Sequence, residues 1–166
     1  MVTHASESDD IVSDVESRER RFHEVSQALL GGSRLVGHQV SNRTDIHLAI
    51  VRGIPYASLL HLITKFKGLT EGEVVSVLGI STRTLRRQRV TPKKSMPADL
   101  ASKTWLFAET LAKASEVFGG QEEAAHWMSK PAMGLDGQRP IELLQTVQGA
   151  ELVNEFLGRL EYGVYT

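Results

Sequence analysis

Six cations stand between residues 74 and 98 of a chain whose formal net charge is only −1: Arg83, Arg86, Arg87, Arg89, Lys93 and Lys94, with no Asp or Glu among them. A guanidinium can pair bidentately with a guanine edge in the major groove, and Arg or Lys can neutralise a phosphate and release its counterions. Ser81, Thr82 and Thr84 stand with them. Small hydroxyls beside the free amides of a helix start suit phosphate contact. The chemistry this cluster could do is DNA binding. A solvated basic helix joining two domains is the plain alternative from charge alone.

Catalytic constellations are not evident. The six histidines are scattered, with no His-Glu-x-x-His arrangement and no clustered carboxylates. Neither Gly31-Gly32 nor Gly119-Gly120 precedes a Lys-Ser/Thr phosphate-loop signature, and there is no nucleophile elbow. The expectation is a protein that is not an enzyme and needs no cofactor and no metal. The chain has no cysteine, which fits a cytoplasmic protein, and no apolar run long enough to span a bilayer.

The elements that must position the cations read as helices throughout. Thr70-Glu71-Gly72-Glu73 is a capping box ahead of Val74, Val75, Val77 and Leu78. Gly79 then permits a left-handed turn and Ser81 starts a second helix. These are the proportions of a helix-turn-helix, with Val74, Leu78, Ile80 and Leu85 locking the pair. Gln88 stands where an apolar residue is usual, so Val90 is the expected anchor of a short second helix. Upstream, Ile46, Ala49 and Ile50 make one stripe, and Pro55 opens another helix with Tyr56, Leu59, Leu60 and Ile63.

Pro92 and Pro97 bracket a basic connector, and a second helical block follows. Leu100, Phe107, Leu111, Ala114 and Phe118 form one stripe closed by Gly119-Gly120. Trp127 and Phe118 are expected in the core. Pro140 opens a further helix, and Leu152, Val153, Phe156, Leu157 and Leu160 form the apolar face of the last one, with Gly163 as its cap. The class is all-α, in three parts. Residues 1–43 are an acidic, largely flexible arm with a short helix near Arg20–Leu30. Residues 44–97 are the DNA-binding unit and linker, and residues 98–166 a helical C-terminal unit.

In order and spacing, several motifs resemble the Xre/MbcA/ParS antitoxins. They are Gly79-Ile80-Ser81-x-Arg83-Thr84-Leu85-x-Arg87, Ala114-x-Glu116-Val117-Phe118-Gly119, Ala124-x-x-Trp127-x-x-x-Pro131 and Gly137-x-x-Pro140-x-Glu142-Leu143-Leu144. Gly149 and Gly158-Arg159-Leu160-Glu161-Tyr162-Gly163-Val164-Tyr165 complete them. The resemblance covers roughly Asp45 to Thr166 and leaves out the acidic arm. It implies a type II toxin–antitoxin pair with a RES-type toxin that consumes NAD, or a related ADP-ribosyltransferase, as partner. It also implies a homodimer that represses its own operon through operator DNA, and no membrane association.

For such a toxin, the end of the chain has suitable chemistry. Glu161, Tyr162, Gly163, Val164, Tyr165 and Thr166 bring carboxylate and aromatic groups complementary to a pocket that holds a dianionic pyrophosphate and two flat rings. The expectation is a tail that plugs the NAD site while Arg159 and the exposed side of the last helix grip its rim. A stand-alone helix-turn-helix regulator, with a C-terminal domain that dimerises or senses a ligand, is the alternative.

Overall fold

A computed structural model describes residues 4–163, with side chains described from residue 11 onward. The expected Val164, Tyr165 and Thr166 contacts lie outside the described residues. Among the described residues there are ten α-helices and one 3-10 turn, and no strand. The all-α expectation holds.

The centre of the fold is a 21-residue helix, α7 (Ala98–Phe118), against which α1 (His4–Leu29), α3 (Arg43–Arg52), α5 (Glu71–Leu78), α8 (Gln121–Met128) and α10 (Val147–Glu161) all pack. A helix contacted on so many sides must be apolar nearly all round. Accordingly Leu100, Ala101, Trp105, Phe107, Ala108, Leu111, Ala112 and Ala114 are buried. The two polar residues it buries, Thr104 and Thr110, donate their hydroxyls to the carbonyls of Leu100 and Leu106, at 2.8 and 3.0 Å. Both are thereby satisfied within the helix, and the Thr110 hydroxyl also accepts from the Asn154 side-chain amide of α10 at 3.1 Å.

The remaining elements are short: α2 (Gly32–Val36), α4 (Tyr56–Lys65), α6 (Thr82–Gln88), the 3-10 turn Met133–Leu135 and α9 (Pro140–Leu143). Buried residues from Leu29 to Leu157 form one hydrophobic cluster. Residues 90–97 are mostly exposed but are tied to the body at a few points. Met96 is buried, its amide donates to the Ile54 carbonyl at 2.8 Å, and the Tyr56 amide donates to Lys94 at 2.9 Å.

The N-terminal region departs from expectation. The short helix foreseen at Arg20–Leu30 is the last part of a 26-residue α1, and His23, Gln27, Leu29, Leu30, Val36 and Val40 are buried in the core. Gln27 explains much of this. Its side-chain amide donates to the His38 carbonyl at 2.6 Å, and its carbonyl oxygen accepts from the Val40 amide at 3.1 Å. One buried glutamine thus fastens the segment after α2 to α1, and it closes off the two backbone groups that burial would otherwise leave unpaired. Acidic and serine-rich composition concealed this because the binding contacts are polar. Val25 of the same helix is 52% exposed.

Candidate functional site

The basic face is built on α5 and α6. Thr70 caps α5 in a capping box: its hydroxyl accepts from the Glu73 amide at 3.2 Å, and Glu73 accepts from the Thr70 amide at 2.8 Å. The helix ends at Gly79, whose φ of 67° is the left-handed value that favours glycine. After Ile80, Ser81 caps α6 by accepting from the Thr84 amide at 3.0 Å. Leu85, fully buried, holds α6 to the body.

This arrangement leaves Ser81, Thr82, Arg83, Arg86 and Arg87 exposed, with Thr84 half-buried. Lys93 and Lys94 are exposed on a connector pinned to the start of α4. Arg89 differs from the other cations, because its guanidinium pairs with the Glu71 carboxylate at the first turn of α5. The anchor of α6 is also not the expected one. Gln88 is buried at 4% exposure and accepts from the Thr91 hydroxyl at 3.2 Å, whereas Val90 is 83% exposed. An amide with a local hydrogen-bond partner can occupy a core position that composition alone would assign to an aliphatic side chain.

The second face is aromatic. Phe118 at the end of α7 packs on Trp127 of α8, centroids 4.9 Å apart, and Trp127 stacks on Phe156 of α10 at 6.0 Å and 5° between planes. The Arg159 guanidinium lies over the Phe156 ring at 5.6 Å, a cation–π arrangement. Trp127, Phe118 and Phe156 are therefore half-buried members of a surface-reaching row, not interior core as expected. A groove beside it is lined by Glu155, Gly158, Arg159 and Tyr162. Tyr162 is 75% exposed, Glu161 and Gly163 are exposed, and Gly163 turns the chain off α10 with φ 65°.

Sequence reasoning missed two contributors to this face. Leu152, expected in the core, is 52% exposed and lies on the same side of α10 as Glu155, Arg159 and Tyr162. Its i+1 neighbour Val153 and Leu157 carry the buried side. Met133 is 91% exposed on a loop whose position is fixed: Ala132 and Gln138 pair across it, Leu135 is buried, and Gly134 lies against the Phe156 ring. A β-carbon at 134 would stand 2.1 Å from that ring. No periodicity marks a residue displayed by a loop, so only the glycine beside an exposed methionine could have signalled it.

Arg139 joins the two faces. Its guanidinium donates to the Ser129 carbonyl at 3.0 Å, to Glu142 at 2.9 Å and to Glu73 at 3.2 Å. Burial alone raises the Glu73 pKa, but the Thr70 hydrogen bonds, Arg139 and Ser129 outweigh it and leave the carboxyl below its ordinary value. Gln145 adds a bond to Ser76 of α5 at 3.0 Å. No group of three or more potential metal ligands lies together among the described residues, and no described helix is long and apolar enough to cross a membrane.

Comparison with known families identifies residues 113–163 as matching the Antitoxin Xre/MbcA/ParS C-terminal toxin-binding domain, the stretch that carries the aromatic face. The chain belongs to the Xre/MbcA/ParS antitoxin family. An Antitoxin Xre of Yersinia enterocolitica is 30% identical over 134 residues, 80% of this chain and 89% of the relative. One of Pseudomonas putida is 30% identical over 149 residues, 88% of each chain. One of Photorhabdus laumondii is 28% identical over 132 residues, 79% of this chain and 88% of the relative.

Proposed function

We propose that this chain is the antitoxin of a type II toxin–antitoxin pair, and that its C-terminal unit, residues 98–166, occludes the active site of a RES-type toxin that consumes NAD or a related ADP-ribosyltransferase. The observation that supports this best is a coincidence of position. The stretch matching a toxin-binding family model is the one that exposes Leu152, Arg159 and Tyr162 beside the Trp127–Phe156 stack. Tyr and Arg anchors in a partly apolar patch are the groups that dominate protein interfaces. Arg159 and the exposed side of α10 grip the rim, and the segment from Glu161 onward enters the pocket.

The same reading assigns residues 44–97 to operator DNA, with Arg83, Arg86 and Arg87 reading bases or phosphates and Lys93 and Lys94 on phosphates. A homodimer follows because one seven-residue helix reads too few base pairs for useful specificity. Titrating the purified chain against the product of the neighbouring gene tests the reading. Stoichiometric loss of NAD consumption is expected. A neighbouring toxin whose activity is indifferent to a molar excess of the chain would overturn it.

A further inference from the structure

A thioether has no charge and no strong hydrogen-bonding group, so methionine is usually interior, where its unbranched chain fills gaps. The chain has four methionines. Met1 lies outside the described residues. Met96 and Met128 are buried, at 4% and 0% exposure, with the Met96 sulfur 3.8 Å from the Thr104 hydroxyl. Met133 is the opposite case, at 91%.

The loop that displays it is held from both sides. The Ala132 amide donates to the Gln138 carbonyl at 3.0 Å, and the Ala132 carbonyl accepts from the Leu135 and Gly137 amides, both at 3.0 Å. Ala132 and Leu135 are buried, and Gly134 stands against the Phe156 ring, over which Arg159 also lies. Met133 is therefore one residue from the Trp127–Phe156 stack, inside the 113–163 stretch that matches the toxin-binding family. A fixed backbone with a free apolar side chain suits an interface anchor, and methionine is enriched in protein interfaces. In the free chain the same exposure opens the sulfur to oxidants.

We infer that Met133 is a redox-sensitive anchor for the toxin: a peroxide converts its thioether to the sulfoxide, and the sulfoxide loosens the complex. The inference rests on the proposed function and adds a modification site to its toxin-contacting face. A sulfur lone pair attacks one oxygen of hydrogen peroxide, and the S–O bond forms as the O–O bond breaks. The departing hydroxide takes the proton from the retained oxygen and leaves as water. Sulfur gives up two electrons, and the peroxide accepts them. The product carries a polar oxygen that an apolar contact leaves without a partner. Sulfoxide reductases reverse the change. Met96 and Met128 are shielded and the chain has no cysteine, so among the described residues Met133 carries the accessible sulfur.

The test uses the full chain, treated with hydrogen peroxide and freed of it before any toxin is added. Peptide mass spectrometry should find the sulfoxide at Met133 while Met96 and Met128 remain thioethers, with helix content and melting temperature unchanged. Calorimetry against the product of the neighbouring gene should then show affinity reduced at least about tenfold. Treatment with a methionine sulfoxide reductase should restore it. Met133→Leu removes the sulfur, so its affinity should be the same before and after peroxide. Met133→Gln, a polar chain of similar length, should bind weakly without any oxidant. In the complex, the toxin should shield Met133 from peroxide. The inference is overturned by oxidised, folded wild type that binds as well as the untreated chain, by a Met133→Leu variant that loses affinity on treatment, or by a Met133 that oxidises equally fast in the complex. A complex that forms but ignores oxidation refutes the anchor alone. An untreated chain that binds no toxin removes the proposed function, and the anchor with it.

Discussion

Glu73 and Arg139 lie 66 residues apart in the chain and 3.2 Å apart in space, Oε1 to Nη2, with Glu73 closing the capping box of α5 and Arg139 closing the loop before α9. One carboxylate thus holds a helix start with one oxygen and a distant segment with the other. Both side chains are partly exposed, which limits the strength of the pair. Arg139→Ala should cost about 1–2 kcal/mol in urea unfolding, as a charge-assisted bond and a carbonyl partner are lost together.

The same carboxylate gives a pH dependence of known sign. The folded pKa of Glu73 lies below its ordinary value, so the stabilisation is present at neutral pH and is lost as pH falls through the folded pKa. Wild type should therefore exceed Glu73→Gln in stability at pH 7, and the gap should narrow on acidification below about pH 4.5. Unfolding free energies measured across that range check it. A gap that widened on acidification would contradict the assignment.

On the basic face, Arg83→Ala and Arg86→Ala should each cost about 1–3 kcal/mol of operator affinity if the side chain meets a guanine edge. Lys93→Ala and Lys94→Ala should weaken binding to all sequences alike and flatten its salt dependence. Arg89→Ala should show a different pattern, because its partner is Glu71 within the fold. Gel shifts at two salt concentrations, beside melting curves, separate the three classes. A triple Arg83→Ala/Arg86→Ala/Arg87→Ala variant with normal operator binding would remove DNA contact from α6.

On the aromatic face, Tyr162→Ala should cost about 2 kcal/mol or more of toxin affinity, and Leu152→Ala should weaken binding without lowering stability. Arg159→Ala should weaken binding and lower stability by no more than about 1 kcal/mol, its cation–π contact with Phe156 being lost. Calorimetry against purified toxin measures this. A truncation ending at Leu160 divides the contribution of the chain end from that of α10. If the truncated protein still inhibits at unchanged stoichiometry, the helix surface is sufficient.

Two glycines of α10 should behave oppositely. A β-carbon at Gly149 would sit 2.0 Å from the Leu143 carbonyl oxygen, a backbone atom that cannot swing away, whereas at Gly158 it would meet only the flexible Lys113 ammonium at 3.4 Å. Gly149→Ala should destabilise by about 3 kcal/mol. Gly158→Ala should be neutral or stabilise by up to about 1 kcal/mol, the ordinary helix preference for alanine. Thermal melts of the two variants decide it.

The elements that local rules govern were legible. Thr70 with Glu73, Gly79, Ser81 and the apolar stripe of α7 were each visible as residue type at fixed spacing, and each is found in place. What could not be read depends on which groups end up beside a side chain once the elements are packed. Gln27 and Gln88 are polar residues in the core because backbone or hydroxyl groups elsewhere answer them. The exposure of Leu152 follows from where α10 is set down by Val153 and Leu157, which the stripe of five apolar residues did not distinguish from it. At the candidate site, sequence found the arginines and Tyr162, and the third dimension added Met133 and the aromatic row.

The way α1 is woven into the body has a mechanical consequence. From Ile11 to Arg21 it is exposed, while its end and the residue after it carry Leu29 and Leu30 into the cluster shared with α7. A pull on the N-terminus would first unwind helix that costs little to lose. It would then reach Leu30, where one more turn exposes the flank of the central helix. Resistance should rise abruptly there, and yielding should release the molecule as a whole, in a single rip under an optical trap.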